Sequence, residues 1–327
     1  MKKTIKIKFI DFNTDIEITA ITSILSQRYN VCICDAPDYI IFAPYGYDHL
    51  RYNCIRIFYT SECYTPNFNE CDYAIGFDRL SFGDRYIRIP LYQLFQYKKF
   101  YDMLKNRPKF TMDDLKNKTE FCNYVVSNSF VKDLRTEIFL KLCEYKKVNS
   151  GGRYLNNIGG AVRDKYAFQL KHKFSIAFEN CSYEGYSTEK IVEAFAAKTI
   201  PIYWGDPSID VDFNNDAFIN CHKYGSLEDV VERVKEIDNN DELYLKMMNE
   251  PILKTQDLKL DEFLFHIFDQ PLEKAGRRSR SQHYSLTEDY ILRHSFYEKH
   301  IYSKIQFVKN QIYRVRNHTM LGRRRTK

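Results

Sequence analysis

The chain has 327 residues, enough for two domains of ordinary size. Hydrophobic residues make up 44%, which can fill cores and excludes a largely disordered chain, and no apolar run approaches a membrane span, which excludes an integral helical membrane protein. The net charge of +6 is uneven: Gly276 to Lys327 holds 13 Lys/Arg against 3 Asp/Glu, so a mildly acidic body carries a basic tail.

Thr4–Ile10 alternates apolar and polar residues and reads as a strand. Lys6 and Asp11 interrupt the would-be apolar region, so the N-terminus does not read as an export signal. Ile18, Ile21, Ile24 and Leu25 fall on one face of a helix over Ile16–Tyr29. Strands are predicted at Val31–Cys34, Tyr39–Ala43, Cys54–Tyr59, Tyr73–Phe77 and Tyr86–Ile89, then a helix over Tyr92–Leu104. This alternation implies a mostly parallel sheet. Lys105–Thr119, polar with one Pro, is the linker candidate.

A second α/β pattern starts at Phe121. Cys122–Val126 reads as a strand, Ser127, Asn128 and Ser129 offer N-caps, and Val131, Leu134, Ile138 and Leu142 mark a helix face. Lys173–Phe178 and Ile200–Trp204 read as strands and Thr188–Lys198 as a helix; further helices are predicted at Ser226–Ile237, Asp241–Met248 and Asp261–Glu273. Half of the 12 glycines (151, 152, 159, 160, 185, 205) cluster here, where backbone must turn sharply or approach a ligand closely. The nine scattered cysteines include no CxxC pair and read as reduced thiols of a cytoplasmic protein; the eight histidines offer no zinc spacing.

The segment Phe178–Pro207, FENCSYEGYSTEKIVEAFAAKTIPIYWGDP, carries the chemistry. A strand ends near Glu179-Asn180, Gly185 marks a turn, and a helix opens near Thr188 whose first-turn N–H groups suit a phosphate or diphosphate. Lys190 puts a positive charge where the helix dipole prefers an acid, which points to an anion there. Glu189 beside it can accept two ribose hydroxyl hydrogen bonds. A solvated Glu-Lys pair on an ordinary amphipathic helix is the alternative. Asp210-Val211-Asp212 is DxD by letter and reads as an acidic loop, Asp78 and Asp84 read as turn or cap residues, and Trp204 reads as core.

This segment resembles the signature of the α1,3/4-fucosyltransferases of glycosyltransferase family 10, particularly the bacterial Lewis-antigen enzymes. Ile57–Tyr92, Leu25–Tyr29 and Val125–Leu142 extend the resemblance over roughly residues 1–270. It implies an α/β fold of GT-B type with two facing Rossmann-like domains: acceptor-binding at 1–105, a linker at 106–120 and GDP-fucose-binding at 121–275, with a basic amphipathic tail at 276–327. It implies inverting transfer of L-fucose from GDP-β-L-fucose to the 3-hydroxyl of GlcNAc in an N-acetyllactosamine-type glycan. Preference for the 4-hydroxyl, or another GDP-sugar, is the alternative. Arg135 and Lys190 match the family's diphosphate cations and Glu189 its ribose contact. Asn180, Tyr186 and Thr188 match other donor-site positions, and Glu62 matches the proposed base. The resemblance also implies no cofactor and no metal, and an enzyme without a divalent ion must neutralise the departing diphosphate with its own cations and helix termini. Cys63-Tyr64-Thr65-Pro66 departs from the more acidic stretch of relatives, so acceptor contacts are expected to differ.

The tail departs as well. Ile291, Phe296, Ile301, Ile305, Val308, Ile312 and Val315 lie among Arg and Lys, followed by Arg323-Arg324-Arg325. This basic amphipathic pattern favours an anionic membrane surface and peripheral association, with nucleic acid or plain packing as the competing readings; no nucleic-acid partner is expected.

Overall fold

The computed structural model describes residues 1–127, 134–279, 287–297, 302 and 304–312. Its strands are β1 (Thr4–Ile10), β2 (Asn30–Ile33), β3 (Tyr39–Phe42), β4 (Ile55–Tyr59), β5 (Tyr73–Gly76), β6 (Tyr86–Arg88), β7 (Glu120–Tyr124), β8 (Val148–Ser150), β9 (His172–Phe178), β10 (Ile200–Trp204) and β11 (Ile219–Asn220). They form two sheets, ordered β2-β1-β3-β4-β5-β6 and β11-β10-β9-β7-β8. β1 pairs in parallel with β2 and β3, β3 with β4, β7 with β8 and β9, and β10 with β9 and β11. The chain is therefore α/β, as the alternating pattern implies, and the fully buried runs of β3 and β4 are those of parallel strands covered on both faces.

The α-helices are α1 (Asp15–Arg28), α2 (Lys98–Lys105), α3 (Met112–Lys116), α4 (Leu134–Tyr145), α5 (Lys165–Gln169), α6 (Glu189–Ala196), α7 (Leu227–Asp238), α8 (Asp241–Asn249), α9 (Leu260–Asp269), α10 (Leu272–Ala275) and α11 (Glu288–Tyr297). Residues 304–312 are also helical. The helix expected over Tyr92–Leu104 is broken: Phe95 adopts φ 49°, and two 3-10 turns precede α2. The expected linker holds α3, capped by Thr111, whose side chain accepts from Asp114 N while Asp114 reaches back to Thr111 N. The caps at Asn128 and Ser129, the helix-face position Val131, the tail positions Ile301 and Val315, and Arg323-Arg324-Arg325 lie outside the described residues.

By compactness the chain forms two units, and neither is a continuous stretch. The first joins Met1–Tyr59, Pro66–Ala74 and Phe265–Lys327; the second joins Thr60–Thr65 with Ile75–Leu264. Residues 75–105, expected with the N-terminal half, thus group with the second unit, and the segment from Phe265 returns to the first.

In the first unit the return has identifiable causes. Phe268 packs 4.5 Å from the Tyr39 ring, Tyr29 Oη donates to Asp269 at 2.7 Å, and Lys3 Nζ donates to Phe268 O at 2.7 Å. Asp72, 2% exposed, accepts from the backbone N–H of Arg277 and of Arg278 and from the Arg278 guanidinium, each at 2.7 Å. The basic tail expected from residue 276 therefore begins as packed structure. Farther along, Tyr302, Ile305, Phe307, Val308 and Ile312 are all exposed. Among the described residues no helix is long and apolar enough to cross a membrane.

In the second unit, Phe174, Ile176, Ile200 and Ile202 from β9 and β10 are buried with Ile138 and Leu142 of α4 and Val230 and Val234 of α7. A second cluster gathers Ile191, Val192 and Phe195 of α6 with Ala177 and Tyr203. Each such side chain contributes about 1.5–3 kcal/mol by leaving water. Together these clusters fix the end of β9 and the start of α6, where the candidate site lies.

Candidate functional site

β9 ends at Phe178, and the next two residues diverge in role. Glu179 is fully buried; its N–H donates to Trp204 O at 2.8 Å. Its carboxylate accepts from Thr188 N at 2.7 Å, from Thr188 Oγ1 at 2.7 Å and from Lys190 Nζ at 2.8 Å. Two glycines make room for this. Gly205 lies so close that a Cβ there would sit 2.3 Å from Glu179 Cγ, and Gly185 holds φ 85° with its Cα face 2.6 Å, by the same measure, from Phe77 O. The anion that Lys190 implied is thus met first by the chain's own Glu179, and the Thr188 N–H expected to help seat a phosphate is bound to it. Sequence reasoning passed over Glu179; its only signal was an acid closing an otherwise apolar strand.

Asn180, half-buried, accepts at Oδ1 from the Arg135 guanidinium at 3.1 Å. Arg135 is 2% exposed on α4, so it is not the surface residue that a lone helix arginine usually is. Lys190 retains 20% side-chain exposure and lies near enough to Arg135 to feel its charge. Burial pulls the Lys190 ammonium down, but Glu179 and Glu189 outweigh burial and Arg135 together, and its pKa is raised. For Glu189 burial favours the neutral acid, yet Lys190 and Lys165 hold its pKa below the usual value. Lys190 and Glu189 therefore remain charged together at neutral pH.

Glu62 lies beyond the end of β4, in an exposed bend rather than in the strand. Thr60 Oγ1 pins that bend, accepting from Glu62 N and donating to Glu62 O, both at 3.0 Å. Tyr186 is buried with its ring edge-on to Phe77 at 5.1 Å. Burial raises the Tyr186 phenol, and Glu179, Glu62, Cys181 and Cys63 each push it further. Glu62, Arg135, Asn180, Tyr186, Thr188, Glu189 and Lys190 thus all fall in one unit, where Glu179 binds Thr188 and Lys190 and Asn180 binds Arg135.

The other candidates separate from this cluster. Asp212, expected in an acidic loop, is fully buried: Arg88 grips it with both terminal nitrogens at 2.6 and 3.2 Å, and Arg79 reaches it at 3.0 Å. Asp210 pairs instead with Lys223 at 3.1 Å. Asp206, also fully buried, accepts from Gly185 N and Ser208 N at 2.8 Å, which braces the site's turn. Asp78 is 7% exposed and burial raises its carboxyl pKa, so it is no surface turn residue. Asp84 does sit in a short 3-10 turn. Trp204 is half-buried, stacked on His222 at 6.0 Å. The 151–160 loop is held by Asn156, which donates to Gly152 O and Gly160 O. Among the described residues no three His, Cys, Asp or Glu side chains are grouped to hold a metal.

The α/β fold with its parallel sheets matches solved fucosyltransferases of GT-B type. An alpha1,3-fucosyltransferase crystallised with GDP-fucose is 29% identical, with a TM-score of 0.70 over 86% of this chain and 94% of that one. The Alpha-(1,3)-fucosyltransferase FucT of Helicobacter pylori is 34% identical over 271 residues, 72% of this chain and 56% of its own length. The human 4-galactosyl-N-acetylglucosaminide 3-alpha-L-fucosyltransferase 9 is 30% identical over 142 residues, 42% of this chain and 38% of its own. The chain thus spans about half or less of these two relatives' length. Residues 7–95 match the alpha-(1,3)-fucosyltransferase FucT N-terminal domain and residues 115–249 the glycosyltransferase family 10 (fucosyltransferase) C-terminal domain. The chain belongs to the fucosyltransferases of glycosyltransferase family 10.

Proposed function

We propose that this chain transfers L-fucose from GDP-β-L-fucose to the 3-hydroxyl of GlcNAc in an N-acetyllactosamine-type glycan, with inversion at the anomeric carbon. The observation that carries the reading is the pair of held cations beside the end of β9: Arg135 on Asn180 at 3.1 Å and Lys190 on Glu179 at 2.8 Å. In this reading Glu62, exposed on its bend, takes the acceptor proton as the hydroxyl attacks. Arg135 and Lys190 stabilise the diphosphate as it departs, and their fixed geometry spares the cost of reorganising solvent. Glu189, Asn180, Tyr186 and Thr188 hold the nucleotide sugar. No divalent ion takes part. The exposed apolar side chains of residues 304–312, flanked by Lys304 and Lys309, rest on an anionic membrane surface at the cytoplasmic face.

The reading is tested by transfer of radiolabelled fucose from GDP-fucose to N-acetyllactosamine, with and without chelator. Transfer is expected to persist under chelation. Glu62→Gln is expected to lower turnover by about 10²–10⁴-fold while GDP binding is kept. Normal turnover in that variant would remove Glu62 as the base, and transfer from GDP-mannose in place of GDP-fucose would replace the donor.

A further inference from the structure

His49 sits in the short turn Asp48–Arg51 that follows β3 and is 3% exposed, yet both of its ring nitrogens meet acids. Nδ1 lies 2.8 Å from Asp11 Oδ2 and Nε2 lies 3.4 Å from Glu70 Oε2, while the ring stacks on Phe42 with centroids 4.0 Å apart. Each acid anchors a different loop. Asp11 directly follows β1 at φ 59°, a left-handed conformation that persists because its surroundings hold it. Its carboxylate accepts from the backbone N–H of Asp48 at 3.3 Å and of His49 at 3.1 Å. Gly46 permits this approach, since a Cβ there would fall 2.3 Å from Asp11 Oδ1. Glu70 closes a turn: its other oxygen accepts from Asn67 Nδ2 at 2.8 Å, and Asn67 O accepts from the N–H of Glu70 at 2.9 Å and of Cys71 at 3.1 Å.

His49 thus joins the loops that follow β1, β3 and β4, and loops following the strands of an open parallel sheet are where such folds take their ligands. Glu62 lies on the last of these loops, between Tyr59 and Asn67. Thr60 pins the loop before Glu62, and the turn held by His49 pins it after. Buried charges of this kind add little net stability over an apolar set, and their best-attested use is to fix register. We propose that His49 is a positioning residue for fucose transfer: through Glu70 it fixes the loop that carries Glu62, so that the carboxylate is placed before the acceptor hydroxyl arrives. His49 is buried and acts only through Glu70. The consequence for turnover rests on the function proposed above; the tie between His49 and the Asn67–Cys71 turn does not.

The test compares the full chain with His49→Phe, which keeps a ring on Phe42 and removes both polar links, and with Glu70→Ala, each assayed well below its melting temperature. Hydrogen exchange read by mass spectrometry is expected to quicken in peptides covering residues 62–71 in both variants. Their kcat for transfer to N-acetyllactosamine is expected to fall by up to about 10²-fold, with the KM for GDP-fucose kept. The double variant should fall no further than either single one, as for two groups acting through one link. Glu70→Gln keeps an oxygen to meet His49 and should recover most of the turnover lost in Glu70→Ala. Unchanged exchange over residues 62–71 overturns the tie. Unchanged kcat, a loss that falls on the KM for GDP-fucose instead, or losses that multiply in the double variant overturn the positioning role. If His49→Phe does not fold, Glu70→Ala against Glu70→Gln decides by the same readouts. If the wild-type chain transfers no fucose at all, the proposed function fails while hydrogen exchange still decides the tie.

Discussion

The second unit holds two clusters built from the same ingredients, arginine or lysine against carboxylates, and they differ in how the charges are shared: one acid with two cations, or one cation with two acids. Asp212 has no exposure, and two guanidiniums share it. Glu179 has none either; Lys190 pairs with it at 2.8 Å and keeps 20% side-chain exposure, as Arg79 does, but a second acid, Glu189, stands beside Lys190 with 18%. The first arrangement is a structural brace under the Gly185 turn. Under the proposed function the second presents charge to a diphosphate while Glu179 holds Lys190 in place. On that reading an ammonium aimed by a fixed carboxylate needs no reorganisation when a diphosphate arrives.

Substitutions can break that contrast. Asp212→Ala strands Arg79 and Arg88 without their shared acid and is expected to lower unfolding stability by about 3–5 kcal/mol, read by denaturant titration of Trp204 fluorescence. Lys190→Ala or Arg135→Ala is expected to raise the transfer barrier by about 2–4 kcal/mol, read in kcat/KM, with a smaller loss of stability than Asp212→Ala. If the two classes of variant lose stability equally, the distinction between brace and ligand site fails. Gly205→Ala drives a Cβ into Glu179 and is expected to cost about 1–3 kcal/mol of stability while weakening GDP binding through Lys190.

The smallest effect separates the two units by pH. In the first, His49 donates or accepts at Nδ1 with Asp11 at 2.8 Å and at Nε2 with Glu70 at 3.4 Å, stacked on Phe42. Burial lowers its pKa, but Asp11 and Glu70 outweigh burial and raise it. In the second, burial lowers the pKa of His172, whose ring contacts Phe168 O and Asn149. The raised group stabilises fully below the ordinary histidine value of about 6.5 and loses this as pH climbs through its folded value. The lowered group stabilises above about 6.5 and loses this as pH falls. Wild type minus His49→Gln should therefore shrink on the alkaline side, and wild type minus His172→Gln on the acid side.

Most strands and long helices were legible because period and β-branched content report them directly. The short β8 and β11, with three and two residues, and the five-residue α5 offer too few positions for any period to register. The break at Phe95 escaped because nothing in its side chain announces a positive φ. Arg135 was legible only through the family resemblance, whereas Lys190 also stood out as a positive charge at a helix start. Asp212 was not legible, since its partners Arg79 and Arg88 stand 133 and 124 residues away in the chain. Distance in sequence also hid the discontinuous units: nothing local in Arg277-Arg278 foretells Asp72.

That clamp governs where this protein can be shortened. Cutting within residues 265–278 would strip Asp72 of three donors and Tyr39 of its Phe268 neighbour, and would injure the amino-terminal unit rather than trim an appendage. Deletions meant to probe the basic extension alone should begin past Tyr297, where the packed part of the chain has already been left intact.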